Sequence, residues 1–461
     1  MRFAFSKKLG LAAAATAALS LPVLAAPSAH AARPATSAKA TTTLLWFMRV
    51  DPKENPWEQA EVKGFEKLHP NVHINLVTAP NPNGAFDAKF NALIQAGTPA
   101  DIWSHLGQAG FADYFHRGLL LNLDPLVKST HYSFGSTPMN LVNTYRKPGG
   151  LYGIPSITLD SYLFYNKDIF DAYNKLHPSA KLAYPPTNWD DKSWTWAKMT
   201  DDAKKLTGVK ANGATAYGVL PNLFPFMGYA WQAGSEMFNQ PKSYVTGAPT
   251  SITLTDAKTV GIFQDMQNFF KQKIAPPYSS VKQIGNTGAD PFQYGNIAME
   301  TTGGWDFRNL LGVKFHWAAG AMPWLVTNRD TLFTDPYMVA KASKHPMEAM
   351  EFIQYLTNAQ SMSAYVKGVG FTPSNPQYLG QWYSQYSKIT GQSAEQLQTL
   401  VSGGRKYGTE SPNHLINSFS QVHNAMVPYE DKIFYGQGSA ASILSQEQSA
   451  VTAILQQNNG G

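Results

Sequence analysis

Residues 44–76 constrain the fold more than any other stretch. Leu44, Leu45, Trp46, Phe47 and Met48 form a short apolar run suited to a buried strand. After a turn, Asn55-Pro56-Trp57-Glu58 offers a capping residue, proline at the first helical position and an acid three residues after the cap. Trp57, Ala60, Phe65 and Leu68 then share one helical face, and Pro70 ends the element. Val72, Ile74 and Leu76 alternate with polar residues as in a strand. Strand, helix and strand within about 35 residues make a βαβ unit, which implies parallel pairing and a right-handed crossover.

The alternation continues along the chain. Helices are expected at 86–96, 111–115, 194–206 and 255–274, and strands at 100–104, 151–157, 162–165, 216–220, 297–301, 317–322 and 337–340. Residues 176–189 read as a proline-rich loop. Ala349, Phe352, Ile353 and Leu356 fall at i, i+3, i+4 and i+7, the strongest helical pattern in the chain, and the stretch from 393 onward is mostly helical. The expected class is α/β. At 461 residues the chain exceeds the length of roughly 300 at which one core stops growing, so two or three domains are expected.

Composition mainly excludes. There is no cysteine, which removes disulfide scaffolds, thiol nucleophiles, cysteine-ligated metals and a lipid-modified cysteine anchor. Net charge is +6, but Arg2, Lys7 and Lys8 lie in an acid-free leader, and without them +3 remains, too little to argue for nucleic acid. Those bases precede the apolar run 9–26, and Ala29-His30-Ala31 supplies a small-x-small cleavage pattern, so 1–31 reads as a secretory signal peptide. Its alternative is an uncleaved anchor. Residues 32–43 are small and polar, a flexible tether. No later segment is apolar enough to span a membrane, so the expected location is exported: extracellular, cell-surface or periplasmic.

Motifs for chemistry are mostly missing. No HExxH, Walker A, GxGxxG or GxSxG occurs, no acid-rich loop has calcium-hand spacing, and the eleven histidines are scattered. No metal and no cofactor is expected. A glycosidase needs only two facing carboxylates, and Asp160, Glu236, Glu300 and Asp306 could furnish such a pair.

Several tracts occur together in one order. Tyr152-Gly153-Ile154-Pro155 precedes Leu163-Phe164-Tyr165-Asn166-Lys167-Asp168-Ile169-Phe170. Gly97-Thr98-Pro99-Ala100-Asp101-Ile102 comes before them and Asn188-Trp189-Asp190 after. Phe292-Gln293-Tyr294-Gly295-Asn296-Ile297-Ala298-Met299 leads to Gly303-Gly304-Trp305, and Ser343-Lys344-His345-Pro346 opens the helix of Ala349, Phe352 and Leu356. In this order the chain resembles the family 1 extracellular solute-binding proteins, the sugar receptors of ABC importers, over nearly all of 44–375. The C-terminal region matches only in being helical.

The resemblance implies a two-lobed periplasmic-binding-protein fold of type II, with discontinuous lobes joined by crossover strands and ligand held between them. One lobe would take 44–157 with 340–372, the other 158–339 with 373–461. Trp305 matches by position a tryptophan that stacks on sugar in the family. Gly303 and Gly304 would admit close backbone approach, and Asp306 could accept from hydroxyls. His105 and Gln108 follow a strand's carboxyl end, where α/β sheets present ligands. Asp160 would face the cleft beside the first crossover, its plainer reading being a solvated loop acid. Phe224, Phe226 and Trp231 fall where the family places second-lobe aromatics, with core packing as the alternative. Arg49 and Trp46, at the end of the first strand, are further candidates, with Trp46 also readable as core. Gly370 and Phe371 would close over the ligand, though a helix stop explains Gly370 as well.

The expected function is a non-enzymatic receptor that binds a carbohydrate, an oligosaccharide, closes by hinge motion and hands it to an ABC permease. The partners are then the sugar and the permease subunits, with no nucleic acid, and the chain is expected to be a monomer. The alternatives are a secreted glycoside hydrolase or lyase, or a same-fold receptor for iron or polyamine. With only 15% charged residues, the chain is also expected to suit an acidic exterior, because few carboxylates are then available to protonate.

Overall fold

The first expected strand is Thr42–Arg49 (β1), which buries Leu44, Trp46, Phe47 and Met48. The computed structural model describes residues 41–80, 84–104, 110–222, 224, 226–239 and 246–459, so the leader lies outside the described residues. Helix Asn55–Leu68 follows with proline in its first turn. Asn55 does not cap this helix. Its side-chain oxygen accepts from the Asp51 N–H at 2.8 Å, and its amide donates to the Arg49 carbonyl at 2.9 Å and to Glu58 at 2.7 Å, locking the turn instead. The buried face is Trp57, Glu58, Glu61 and Phe65, while Leu68 is 66% exposed. Two acids therefore stand on the inner face, where a hydropathy pattern does not look for them.

Val72–Ala79 (β2) pairs parallel to β1 from Thr42↔Val72 to Arg49↔Ala79, completing the βαβ unit. Ile102–Ser104 (β3) pairs parallel on the other side of β1, reached through helix Ala85–Gln95, which buries Phe86 and Phe90. Ile154–Leu159 (β4) and Ser161–Asn166 (β5) are separated by Asp160 alone. Further on come Tyr217–Pro221 (β6), Ile297–Gly303 (β7), Trp317–Gly320 (β8), Asp330–Val339 (β9) and Gly408–Glu410 (β10). The first sheet has the order β10-β9-β3-β1-β2, with β4 also on β9; the second has β6-β7-β5-β8. Both are mixed. β9 is antiparallel to β3 and β4, and β5 is antiparallel to β7 and β8.

Two separate hydrophobic cores result. One gathers Trp46, Phe47, Phe65, Phe90, Trp103 and Phe352 around the first sheet; the other gathers Phe164, Trp196, Phe263, Phe307, Trp382 and Phe434 around the second. Residues around Asp160 carry the chain from the first sheet to the second, and β9 returns it. Residues 372–374 cross again beside β4, with Thr158 N–H donating to the Thr372 carbonyl at 3.0 Å and Ser374 N–H to the Ser156 carbonyl at 2.9 Å. The Thr158 hydroxyl lies 3.2 Å from that of Thr334 and 2.8 Å from that of Ser374, tying the three crossing segments together. The fold is a two-lobed α/β architecture. Among the described residues no helix is long and apolar enough to cross a membrane.

Candidate functional site

The loops after β1 and β7 leave the carboxyl ends of parallel strands in different sheets, the position at which α/β folds present ligands. Here they meet. Arg308, on the short helix Asp306–Asn309, donates to Asp51 at 2.9 Å, and Lys53 Nζ donates to the Arg308 carbonyl at 3.1 Å. Arg49 donates twice to Glu54, at 3.1 and 2.8 Å, and lies 3.4 Å from Asp51. Phe371 is held between the two guanidiniums, 4.0 Å from Arg308 and 5.7 Å from Arg49 to its ring centroid, a cation–π arrangement. Burial pushes the Asp51 carboxyl up, but Arg49 and Arg308 more than offset it and hold its pKa below the ordinary value.

Trp305 stands at the end of β7, half-buried. It issues from the second sheet yet packs on the first core, with its ring 5.0 Å from Phe333 and edge-on. A Cβ at Gly303 would lie 2.2 Å from the indole, so only glycine lets the ring fold back over the strand. Gly304 N–H donates to the Asp160 carbonyl at 2.7 Å, pinning the tryptophan loop to the first crossover. Asp160 is fully buried rather than a solvated loop acid. Its Oδ2 accepts from the Tyr162 hydroxyl at 2.9 Å. Burial raises its pKa to about 6 against the pull of Arg405 and the phenol.

Of the other expected residues, Arg49, Phe371 and Gly370 join this junction. Gly370 has φ +89°, and its carbonyl accepts from Trp382 Nε1 at 2.9 Å and the Tyr386 hydroxyl at 3.1 Å. Trp46 and Trp231 do not join it. Each is wholly buried in a different core: Trp46 packs edge-on against Phe352 at 5.0 Å, and Trp231 lies under Arg329. Both belong to core-facing positions, and neither offers a face to ligand. Phe224 is exposed beside His423, ring centroids 5.1 Å apart, and Phe226 packs on Phe434 at 4.8 Å. His105 and Gln108 lie outside the described residues.

Asp306 turns away from the junction. It is fully buried with Glu300 and half-buried Asp290, one carboxyl oxygen of each within 4.8 Å of the others. That spacing is near the roughly 5 Å of a retaining glycosidase pair. Both Glu300 and Asp306 are fully buried, however, while Glu236 is a surface residue paired with Arg329 at 2.8 Å. Sequence reasoning missed Arg308, Asp51 and Phe333; the Trp305-to-Arg308 spacing of one helical turn was the only available hint.

The profile of the bacterial extracellular solute-binding proteins matches residues 51–363. A binding protein of Brucella abortus strain 2308 is 25% identical over 376 residues, 74% of this chain and 78% of its own. An ABC substrate-binding protein of Listeria monocytogenes, solved in complex with cycloalternan, superposes with a TM-score of 0.74 at 19% identity, covering 90% of this chain and 99% of that one. A cyclic alpha-maltosyl-1,6-maltose binding protein from Arthrobacter globiformis gives 0.65 at 16% identity, covering 91% and 100%.

Proposed function

Because the chain belongs to the bacterial extracellular solute-binding proteins, receptors of ABC importers, we propose that it captures a carbohydrate between its lobes, closes over it and delivers it to a membrane permease. The ligand is an oligosaccharide, and the chain acts as an exported monomer, with 1–31 its signal peptide and 32–43 its tether. Residues 44–157 with 340–372 form one lobe and 158–339 with 373–461 the other. The division of the two hydrophobic cores supports that assignment.

One observation carries the reading. Trp305 is a half-buried indole at the carboxyl end of β7, backed by Gly303 and leaning on the opposite core. An indole so placed is an apolar platform for the C–H face of a sugar, and hydroxyls of the same sugar need charged and amide partners at the rim, because each unpaired polar group costs about 1–3 kcal/mol on closure. Arg49, Asp51 and Arg308, the last one helical turn from Trp305, are the charged partners this reading assigns to the hydroxyls. The oligosaccharides bound by the Listeria and Arthrobacter proteins support this ligand class.

A thermal-shift screen over mono- and oligosaccharides tests it. The cognate sugar should stabilise the chain by about 2.7 kcal/mol at 100 times its Kd. Trp305→Ala should weaken that sugar by about 2 kcal/mol, roughly 30-fold, as for a central aromatic anchor, and Trp305→Phe should recover part of the loss. A shift by ferric iron or a polyamine with none by any sugar would sink the carbohydrate reading, and sustained product release would sink the receptor.

A further inference from the structure

We propose that Glu300, Asp306 and Asp290, with the Thr302 hydroxyl, form a calcium site at the carboxyl end of β7. Three observations on geometry carry it. The first is the pattern of free oxygens. Asp290 spends both of its oxygens, accepting from Phe292 N–H at 2.8 Å and from Asn222 at 3.2 Å. Glu300 Oε1 accepts from Asn222 at 2.9 Å and Asp306 Oδ1 from Asn309 at 2.9 Å, while Glu300 Oε2 and Asp306 Oδ2 have no amide donor and no access to solvent, and the Glu300 carboxyl lies against that of Asp290. Thr302 lies two residues along β7 from Glu300 and so on the same face. Its hydroxyl is wholly buried and lies against Asp306, whose carboxyl it favours in the charged form, and it makes no other hydrogen bond.

The second observation is spacing. Calcium takes oxygen ligands at about 2.3–2.6 Å, so two of its ligands stand up to roughly 5 Å apart; magnesium, at about 2.0–2.1 Å, allows only about 4.2 Å. One carboxyl oxygen of each residue lies within 4.8 Å of the others, inside the calcium envelope. The third is charge. Among the described residues no lysine, arginine or histidine forms an ion pair with any of the three carboxyls. Arg308, two residues from Asp306, faces Asp51 instead. Buried carboxylates crowded in this way must be neutralised by a cation or by protons.

Burial, together with mutual repulsion at Glu300 and Asp306, pushes the pKa of all three carboxyls up, so protons are the competing occupant. The ligands come from the approach to β7, from β7 itself and from the helix after it, which is why no loop motif announces them. A bound cation would brace the helix that carries both Trp305's neighbour Asp306 and Arg308.

The experiment needs only the full chain and the metal. After EDTA treatment, calcium titrated at pH 7.5 should raise the midpoint of thermal unfolding saturably, with one ion bound per chain by calorimetry, and terbium should show tryptophan-sensitised luminescence that calcium displaces. Glu300→Gln should fold, because it removes an uncompensated charge, and should abolish both responses; Asp306→Asn should do the same. No saturable response to calcium at about 10 mM, above the Kd range of weak extracellular sites, would overturn the site in favour of shared protons. So would a response unchanged in Glu300→Gln, and an equal response to magnesium would overturn the calcium assignment.

Discussion

Asp306 and Arg308 share one short helix and meet opposite electrostatic surroundings. Arg308 joins Asp51, Arg49 and Glu54 in a cluster where each carboxylate faces a guanidinium, and the Asp51 carboxyl is held below its ordinary pKa. Asp306 joins Glu300 and Asp290, where no base among the described residues forms an ion pair, and Glu300 and Asp306 are held well above theirs. All these groups are partly or wholly buried. What separates them is the supply of bases, not depth. The paired cluster joins the loop after β1 of the first sheet to the helix after β7 of the second; the unpaired one is built from β7 and the segments on either side of it.

The largest expected effect comes from breaking the paired side. Arg308→Met removes the partner that Asp51 has across the two sheets and leaves it Arg49 and the Lys53 and Glu54 N–H groups. Losing one member of a buried pair costs about 3–5 kcal/mol, against about 0–1 for an exposed one. Urea unfolding should show a loss in the upper range, and small-angle scattering should show a more open molecule. A loss under about 1 kcal/mol would mean that the Asp51–Arg308 contact is solvated and does not hold the lobes.

Two buried glutamates outside the unpaired group predict the pH profile. Glu58 and Glu410 are buried, and burial raises both to about 8. A carboxyl whose folded pKa lies above its unfolded one keeps its proton when the unfolded chain has released it. Stability is therefore full below the unfolded value near 4.5 and falls as pH rises from there to about 8, by up to about 1.4 kcal/mol per pH unit for each group. Asp51 works the other way: its contribution is present above 3.8 and lost only as pH falls through its lowered value. Thermal midpoints in metal-free buffer should thus be higher at pH 5 than at pH 8. A midpoint flat or rising over that interval would mean that Glu58 and Glu410 do not keep their protons in the fold. A profile of this shape is what an acidic exterior requires.

The βαβ unit was legible because buried strands and an amphipathic helix leave apolar periodicities, and Trp305 was legible because glycine, glycine and tryptophan stand together. The first half of β9 was not. Its buried residues include Asp330, Thr331 and Thr334, and the remote partners that hold this stretch come from β4, β5 and β10. Glu58 and Glu61 hid the true inner face of the first helix for the same reason. Arg308 and the Asp290–Glu300–Asp306 group escape periodicity altogether, because each draws its meaning from elements that only tertiary structure brings together.

Asp160 stands between the two extremes and gives the smallest and most discriminating prediction. It sits at the first crossover, where a Cβ on Gly404 would lie 2.9 Å from its side chain, so the helix Ala394–Tyr407 presses directly on it. One guanidinium, Arg405, and one phenol, Tyr162, oppose its burial, and Asp330 adds a carboxyl nearby. The outcome, about 6, falls between Asp51 and the unpaired group. Tyr162→Phe deletes the hydrogen bond to the carboxylate without changing the ring, and should cost about 1 kcal/mol at pH 7.5, near the mean for a single hydrogen bond. Because the phenol favours the charged carboxyl, its loss pushes the Asp160 pKa further up. The penalty should then shrink at pH 4.5, where the folded state already holds the proton. Unfolding curves of the two proteins at both pH values read this difference directly. A penalty equal at both would mean that the phenol serves packing at the crossover and that Asp160 carries no charge there at neutral pH, placing it with Glu300 and Asp306 instead of between them and Asp51.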